Sequence, residues 1–382
     1  MKSLTAFVLA SLLMSPVARA SNLPWRQNTD ELAWQMFVQV VSPAGNPGLN
    51  PKVEFETWAS DQDIFDSNPA VWPSPNSQKI LQNSVLGRSE LSILQGVEPK
   101  ALPPGAGLEC PPSGLNDAAK GDPFPASGCV GEEVRRNWAS FQYIVSNALD
   151  TKAGRVDFAR AGKTVDFPSD AIEFKGEWVP VADVARWVNL SESQVRQVYY
   201  ITSVIVNGRP TQMALVAFHF SSKLTKNWVW ADFEHVLNPG RCDTIGCRDT
   251  WGSRVREVRP NPRPWEPYTA GCPRTPELSA LSTSAGIAQV WNNYCMKATQ
   301  IDFVATDGST LLGNSVIEPL AANIPIEKSS CITCHGVALF DKSTGAPYTA
   351  LLRNSPVGPL PSYDTSKYAS YDFVWGLLTG SK

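Results

Sequence analysis

Apolar and polar positions alternate with different periods along this chain, and the changes of period mark its elements. Residues 28–43 (NTDELAWQMFVQVVSP) space their apolar side chains as a helix does. Asn28 and Glu31 resemble a capping box at its start, and the breaker cluster Ser42-Pro43-Ala44-Gly45 stops it. From about Asp61 to Cys129 the chain is mostly punctuation: LPPGAGLECPPSG and GDPFPASGC read as loops. Within 131–150 (GEEVRRNWASFQYIVSNALD), Val134, Trp138, Phe141, Val145 and Ala148 form one stripe at steps of four, three, four and three, which predicts a single helix.

The middle third shifts to a period of two. AIEFKGEW (171–178) alternates, VYYITSVIV (198–206) is β-branched and aromatic, and Asn207-Gly208 is a strong hairpin signal leading into TQMALVAFHF (211–220). WVWADFEHV (228–236) continues what reads as an antiparallel meander. A Pro- and Arg-rich loop follows over 254–275, then a predicted helix over about 277–298. The fold class expected is α+β, an antiparallel sheet core with helices and long loops.

The first twenty residues have a pattern of their own. Lys2 precedes an apolar run from Leu4 to Leu13 and an A-x-A site at Ala18-Arg19-Ala20, the form of a cleaved secretory signal, with a mature chain starting near Ser21. The run is too short to span a bilayer, and no later apolar stretch is long enough. An exported chain on this reading belongs in the periplasm, where disulfides persist. Eight cysteines are present; setting aside Cys331 and Cys334 leaves six, an even number that suggests three disulfides. Sequence allows about 15 pairings of six thiols. The preferred set follows chain order: Cys110–Cys129, Cys242–Cys247 and Cys272–Cys295. Each closes a short loop beside a Pro- or Gly-rich stretch. Zinc is the lesser alternative, because no cysteines beyond Cys331 and Cys334 show C-x-x-C spacing. The formal charge of −3 becomes −5 without Lys2 and Arg19, with 31 basic against 36 acidic residues, which excludes a nucleic-acid partner. Thirteen Trp and thirty-one Pro point to an irregular, aromatic-rich fold with long ordered loops.

The chemistry concentrates in SSCITCHGVA (329–338). Cys331, Cys334 and His335 have the C-x-x-C-H spacing by which two thiols bond the vinyl groups of one haem and the adjacent imidazole becomes an axial iron ligand. Covalent attachment of this kind belongs outside the bacterial cytoplasm, so leader and motif reinforce each other. The cofactor expected is one covalent haem c, with His335 as an iron ligand. After His335 the chain contains neither His nor Met, so a second ligand must come from upstream: Met36, Met213, Met296, His219 or His235. If the 221–227 connection folds about Leu224, His219 sits across from Val229, and both histidines face one side of the sheet. At about 3.3 Å per residue they would lie roughly 20 Å apart, so one iron could not take both. His219, sharing its face with Leu215 and Ala217, is the candidate distal ligand, and a hydrogen-bonded core histidine is the bland alternative. Met296 ranks behind it, and Met36 reads as core. Glu234-His235 could act as a distal acid–base pair. Arg254, Arg256, Arg259 and Arg263 could hold the haem propionates, or form a solvated loop. The aromatics of YDFVWGLL (371–378) could pack against the porphyrin or anchor the tail to the sheet.

Taken together, RQNTDELAWQMFVQV, FETWASDQDIF, EEVRRNWASFQYIV, DFPSDAIEFKGEW, ALVAFHF, WVWADFEHV, SSCITCHGVA and DFVWGLL resemble, in order, the landmarks of a group of exported bacterial single-haem c-type cytochrome-like proteins. The resemblance runs over nearly the whole mature chain and implies haem binding and export, but no substrate. It also implies one integrated unit; the residues themselves divide the chain into a signal peptide over 1–20, an α+β domain over 21–310 and a haem-attachment region over 311–382 packed on that domain. Gly336-Val337 stands where the group would have a more polar pair.

Three functions remain open. The first is a periplasmic electron carrier with one haem and an unidentified redox partner. The second is a haem enzyme or sensor, peroxidase-like or small-ligand-binding, with an open or displaceable sixth iron position. The third has no haem, and Cys331 and Cys334 form a redox dithiol or a disulfide in a binding protein; the absence of a βαβ pattern around them counts against a thioredoxin-like site.

Overall fold

The computed structural model describes residues 29–44, 52–74, 79, 81–83, 129–238, 240–242, 245–253, 256–257, 272–305, 308–309, 311–318, 326–348, 350–351 and 357–379. The leader and Cys110 lie outside them, as do Arg254, Arg259, Arg263 and most of the loop before Cys129. The chain folds as α+β around one antiparallel sheet. Its strands are β1 (Ala59–Ser60), β2 (Gln82–Asn83), β3 (Gly131–Arg136), β4 (Ile172–Pro180), β5 (Ile201–Val206), β6 (Arg209–Ser222) and β7 (Val229–His235). After the short pair β8 (Cys247–Arg248) and β9 (Arg256–Glu257), β10 (Tyr294–Gln300) completes the sheet, in the order β1-β3-β4-β6-β7-β10. β2 joins at β3, while β5 pairs with the first half of β6 and β7 with the second. Asn207 and Gly208 close the β5–β6 hairpin, both at positive φ (48° and 74°), as a two-residue turn matching strand twist requires.

One face of this sheet is covered by α1 (Thr29–Val41). Ala33, Trp34, Phe37, Val40 and Val41, fully buried, recur at helical spacing and bring α1 down on Phe218, Phe220 and Phe233. Phe37 lies 5.0 Å from the Phe233 ring and 6.0 Å from that of Phe218. The same core takes in Phe55, Phe174, Trp178 and Trp291. Cys242–Cys247 and Cys272–Cys295 are disulfides, as expected, while the partner expected for Cys129, Cys110, is not described. Among the described residues, no helix is long and apolar enough to cross a membrane.

Two elements differ from the pattern reading. Residues 131–136 are strand, and the helix α2 (Trp138–Ser146) begins only after Asn137, whose side chain accepts from the Ser140 N–H and caps it. The stripe beginning at Val134 was misleading because strand pairing with β4 claims Gly131 to Arg136; Trp138 and Val145 are left 52% and 37% exposed, while Phe141 and Ile144 are buried. The second is the helix expected over 277–298. It stops as α6 (Pro276–Ser284) before Gly286 at positive φ, and the chain then enters β10. The apolar run YCMKA pairs with β7 instead of coiling. A smaller difference concerns 198–206, where Val198 ends the helix α5 (Glu192–Val198) and the strand starts at Ile201.

The opposite face of the sheet is covered by the C-terminal part of the chain together with α2 and α3 (Lys152–Arg160). Leu312, Ile332, Ala338, Phe340, Tyr371 and Trp375 share one apolar cluster with Phe65, Phe141, Ile144 and Phe158, so residues from both sides of position 310 pack together.

Candidate functional site

The covered C-terminal side of the sheet is unusual in being polar. Antiparallel partners point to the same face, so the register defines rows across it. One row reads Val134, Lys175, His219, Asp232 and Ala298. The next reads Glu132, Glu177, Ala217, Glu234 and Cys295; a third holds Arg136, Glu173, Ser221, Trp230 and Gln300. Nearly all of these side chains are buried, including Glu177, Asp232 and Glu234 at zero exposure. Charges in such a setting are kept only where partners offset their desolvation. Lys175 pairs with Glu132 at 3.1 Å and Lys297 with Glu234 at 3.1 Å, while Arg136 bridges Asp61 and Glu173.

The C-x-x-C-H segment is a short helix, α7 (Cys331–Gly336), clamped onto the third row. Gln300 donates from Nε2 to Ser330 Oγ (2.9 Å) and accepts from the Ile332 N–H (2.9 Å), tying both ends of the first turn to β10. Thr333 Oγ1 donates to the Gly358 carbonyl, and the Trp375 indole donates to the Cys334 carbonyl. Cys331 is buried, Cys334 is partly exposed, and both stand as thiols. The tail therefore fastens the motif: Phe340 stacks on Tyr371 at 4.3 Å, and Gly376 comes so close to Arg136 that a Cβ there would lie 1.8 Å from Nη2.

His335 projects from α7 toward the sheet. Its Nδ1 donates to the Phe373 carbonyl at 2.9 Å; since a carbonyl can only accept, this bond sets the tautomer and leaves the lone pair on Nε2. The Trp230 ring packs 4.5 Å away. Facing it is His219, with ring centres 6.2 Å apart and planes at 88°. His219 is buried, and among the described residues its Nδ1 has no hydrogen-bond partner. Burial, reinforced by Lys175, pushes its pKa well below the usual histidine range, so the imidazole is neutral. Both rings line a cleft whose walls include Asp61, Glu132, Arg136 and Lys175.

The two strand histidines do not share a face. β6 and β7 pair about the 225–226 link, so His219 lies across from Asp232 and not Val229. That three-residue shift, being odd, puts His235 on the apolar side. There its Nε2 donates to the Val198 carbonyl, its Nδ1 accepts from the Leu237 N–H, and its ring stacks on Tyr199 at 3.4 Å. With both nitrogens engaged and burial lowering its pKa to about 3, His235 is a structural residue. Glu234, on the other face, cannot act with it. Leu215 likewise leaves the face of His219, because a bulge between Leu215 and Ala217 reverses the alternation. Met296 pairs with Phe233 in the apolar core, and Met36 and Met213 pack into the same core, so none of these three methionines reaches His335. Of the candidate ligands, the fold brings only His219 to His335. The side chain of Arg256 and the other three arginines of its cluster lie outside the described residues.

Pattern reading missed Lys175, Asp232, Trp230 and Glu318, although E-x-K-x-E in β4 and W-x-D-x-E in β7 carry the signal. An alternating polar set normally faces water; nothing local says that this one is roofed. No protein-family model matches the chain, and neither a curated protein nor a solved structure matches it.

Proposed function

We propose that the protein is an exported c-type cytochrome with one covalently attached haem that carries electrons in the periplasm. Cys331 and Cys334 would supply the thioether bonds, and His335 and His219 would be the side chains that hold the iron. The observation that carries this reading is the pairing of His335 with His219 across 6.2 Å. Two imidazoles sharing one metal at about 2 Å per nitrogen place their ring centres roughly 6 Å apart. The Nδ1–H bond to Phe373 is the orienting contact a metal-bound imidazole uses, and His219 is neutral with an unpartnered nitrogen, as a ligand in waiting should be. The order of landmarks shared with single-haem c-type cytochrome-like proteins points the same way, as does the leader-like first twenty residues.

When bound, the haem supplies reversible one-electron chemistry at iron. The chain's part is to hold the ring and set its surroundings. Gln300 and Thr333 fix α7, so the thiols and imidazole keep a constant relation. Arg136 and Lys175 line the cleft shared by the two histidines and would be candidates to hold the cofactor's carboxylates. A second reading, a haem enzyme or sensor, is favoured by the charged groups beside His219.

The test is the absorption spectrum, oxidised and reduced, of protein exported from a host that matures c-type cytochromes, after acid–acetone extraction. Retained haem with a low-spin spectrum is expected, and His219→Ala should convert it to high spin without releasing the haem. Retained haem that is high-spin in the wild type and binds added ligands would favour the second reading. Haem lost on extraction would remove both.

A further inference from the structure

We propose that the carboxyl cluster of Asp232, Glu234 and Glu318 is a redox-linked proton site, with Glu318 taking up one proton from solvent when the iron gains an electron. The inference rests on the haem reading above. Two of these carboxyls sit on adjacent positions of the polar face of β7, at zero exposure, and the third comes from the segment 311–318 that roofs them. That segment is pinned by its own side chains. Asn314 donates to Asp232 Oδ1 (2.9 Å) and Ser315 donates from its backbone to Glu234 Oε1 (2.8 Å) and from its hydroxyl to Glu234 Oε2. The Asn314 N–H in turn donates to Glu318 Oε2 at 2.7 Å.

Three acids are thus drawn together around one close ammonium, Lys297, which is bonded to Glu234. The charged groups facing them are Lys175 from β4, already paired with Glu132, and Glu177 in the row of Glu234. Among the described residues, Lys297 is the ammonium bonded within this group of three, so full ionisation would set three negative charges against it in a buried layer. Like charges this close cannot all ionise, so the layer must hold protons. Among the described residues, the buried Asp232 Oδ2 has no hydrogen-bond partner. Burial raises Glu318 to about 7, the value at which a proton is exchanged near neutrality. Part of the surface of Glu318 reaches solvent, whereas Asp232 and Glu234 have none, which makes Glu318 the entry point.

His219, the candidate ligand, is the cross-strand neighbour of Asp232, and Lys175 acts on both His219 and Glu318, so the cluster and the iron site are electrostatically joined. An electron from an external one-electron donor lowers the iron's charge by one, and a carboxylate converted to a carboxylic acid by a solvent proton restores it. No other bond forms or breaks. Reduction thus raises the affinity of Glu318 for its proton, and the reduction potential falls as pH rises.

The experiment is redox titration of the haem-loaded protein at a series of pH values above and below about pH 7. The wild-type potential should fall by up to about 59 mV per pH unit, the one-electron equivalent of a tenfold change in proton activity. Glu318→Gln, which can still accept from Asn314, should flatten the slope while the haem stays attached. Infrared difference spectra of the wild type, reduced minus oxidised, should show a protonated-carboxyl band appearing, a readout that needs no variant. A pH-independent potential, an unchanged slope in E318Q, or no carboxyl band overturns the inference and leaves the haem reading standing. A chain with no attached haem overturns the haem reading, and this inference with it.

Discussion

The two faces of the central sheet are both buried and are built from the same alternating strands, yet they are opposites in chemistry. Along β4, Phe174, Gly176 and Trp178 point to α1 while Glu173, Lys175 and Glu177 point to the C-terminal segment. Along β7, Ala231, Phe233 and His235 oppose Trp230, Asp232 and Glu234. The first face does what sheet faces ordinarily do: it removes apolar area from water and closes around aromatic rings. The second buries charges that must be neutralised by partners, an arrangement apolar residues of similar size often equal or exceed in stability. The comparison implies that one face supplies stability and the other chemistry.

The largest effect that would sharpen this contrast is a core truncation on the apolar face. Phe218→Ala removes a ring packed by Phe37, Phe174 and Phe233 and should cost about 3–5 kcal/mol in urea unfolding. On the polar face the single change Lys297→Met strands Glu234 and should cost a similar amount, about 3–5 kcal/mol, but adding Glu234→Leu should recover most of it. If the double variant stays as unstable as the single, the polar face is a stability element after all and the contrast fails.

The pH dependence of stability should differ in sign between the faces. His235 on the apolar side has its folded pKa lowered, by burial, to about 3 from 6.5, so its folded form binds fewer protons than the unfolded chain. Its contribution is present above about pH 6.5 and is lost as pH falls toward about 3. Glu318 has its folded pKa raised, by burial, from 4.5 to about 7, so the folded form binds more protons. Its contribution is present below about pH 4.5 and is lost as pH rises through about 7, with a slope of at most about 1.4 kcal/mol per pH unit. Denaturation across this range should show E318Q losing the upper slope and His235→Gln losing part of the acid limb. Coincident profiles for either variant and the wild type would remove that assignment. The smallest effect expected lies away from both faces: Gly208→Ala, at φ +74° with open space around it, should cost about 1 kcal/mol through backbone strain alone.

Several features were legible without coordinates. The alternation in 171–178, 211–220 and 228–236 and the Asn-Gly turn correctly announced antiparallel strands, but not a simple meander, since β4 pairs with β6 and passes over β5; the chain-order pairing of Cys242 with Cys247 and Cys272 with Cys295 was correct. His219 was singled out by elimination, and it is the one candidate that meets His335. The misreadings share a cause. EEVRR and YCMKA have apolar spacings that suit a helix or a strand about equally, and only neighbouring strands with open edges decide. The faces assigned to Leu215 and His235 each hinged on parity, one on a bulge in β6 and the other on the turn register before β7, and an odd shift reverses every side chain beyond it.

By itself the sequence determined the local things: which segments alternate, where turns and caps interrupt them, which thiols sit close enough to join, and that Cys331, Cys334 and His335 stand at haem-binding spacing. Those follow from covalent geometry and short-range sterics. The tertiary structure alone decided which polar face would be roofed, and so turned Lys175, His219, Asp232 and Glu234 from an ordinary solvated stripe into a buried charged layer facing the motif. Burial depends on what the last seventy residues pack against, and that is set by long-range contacts that no window of sequence contains.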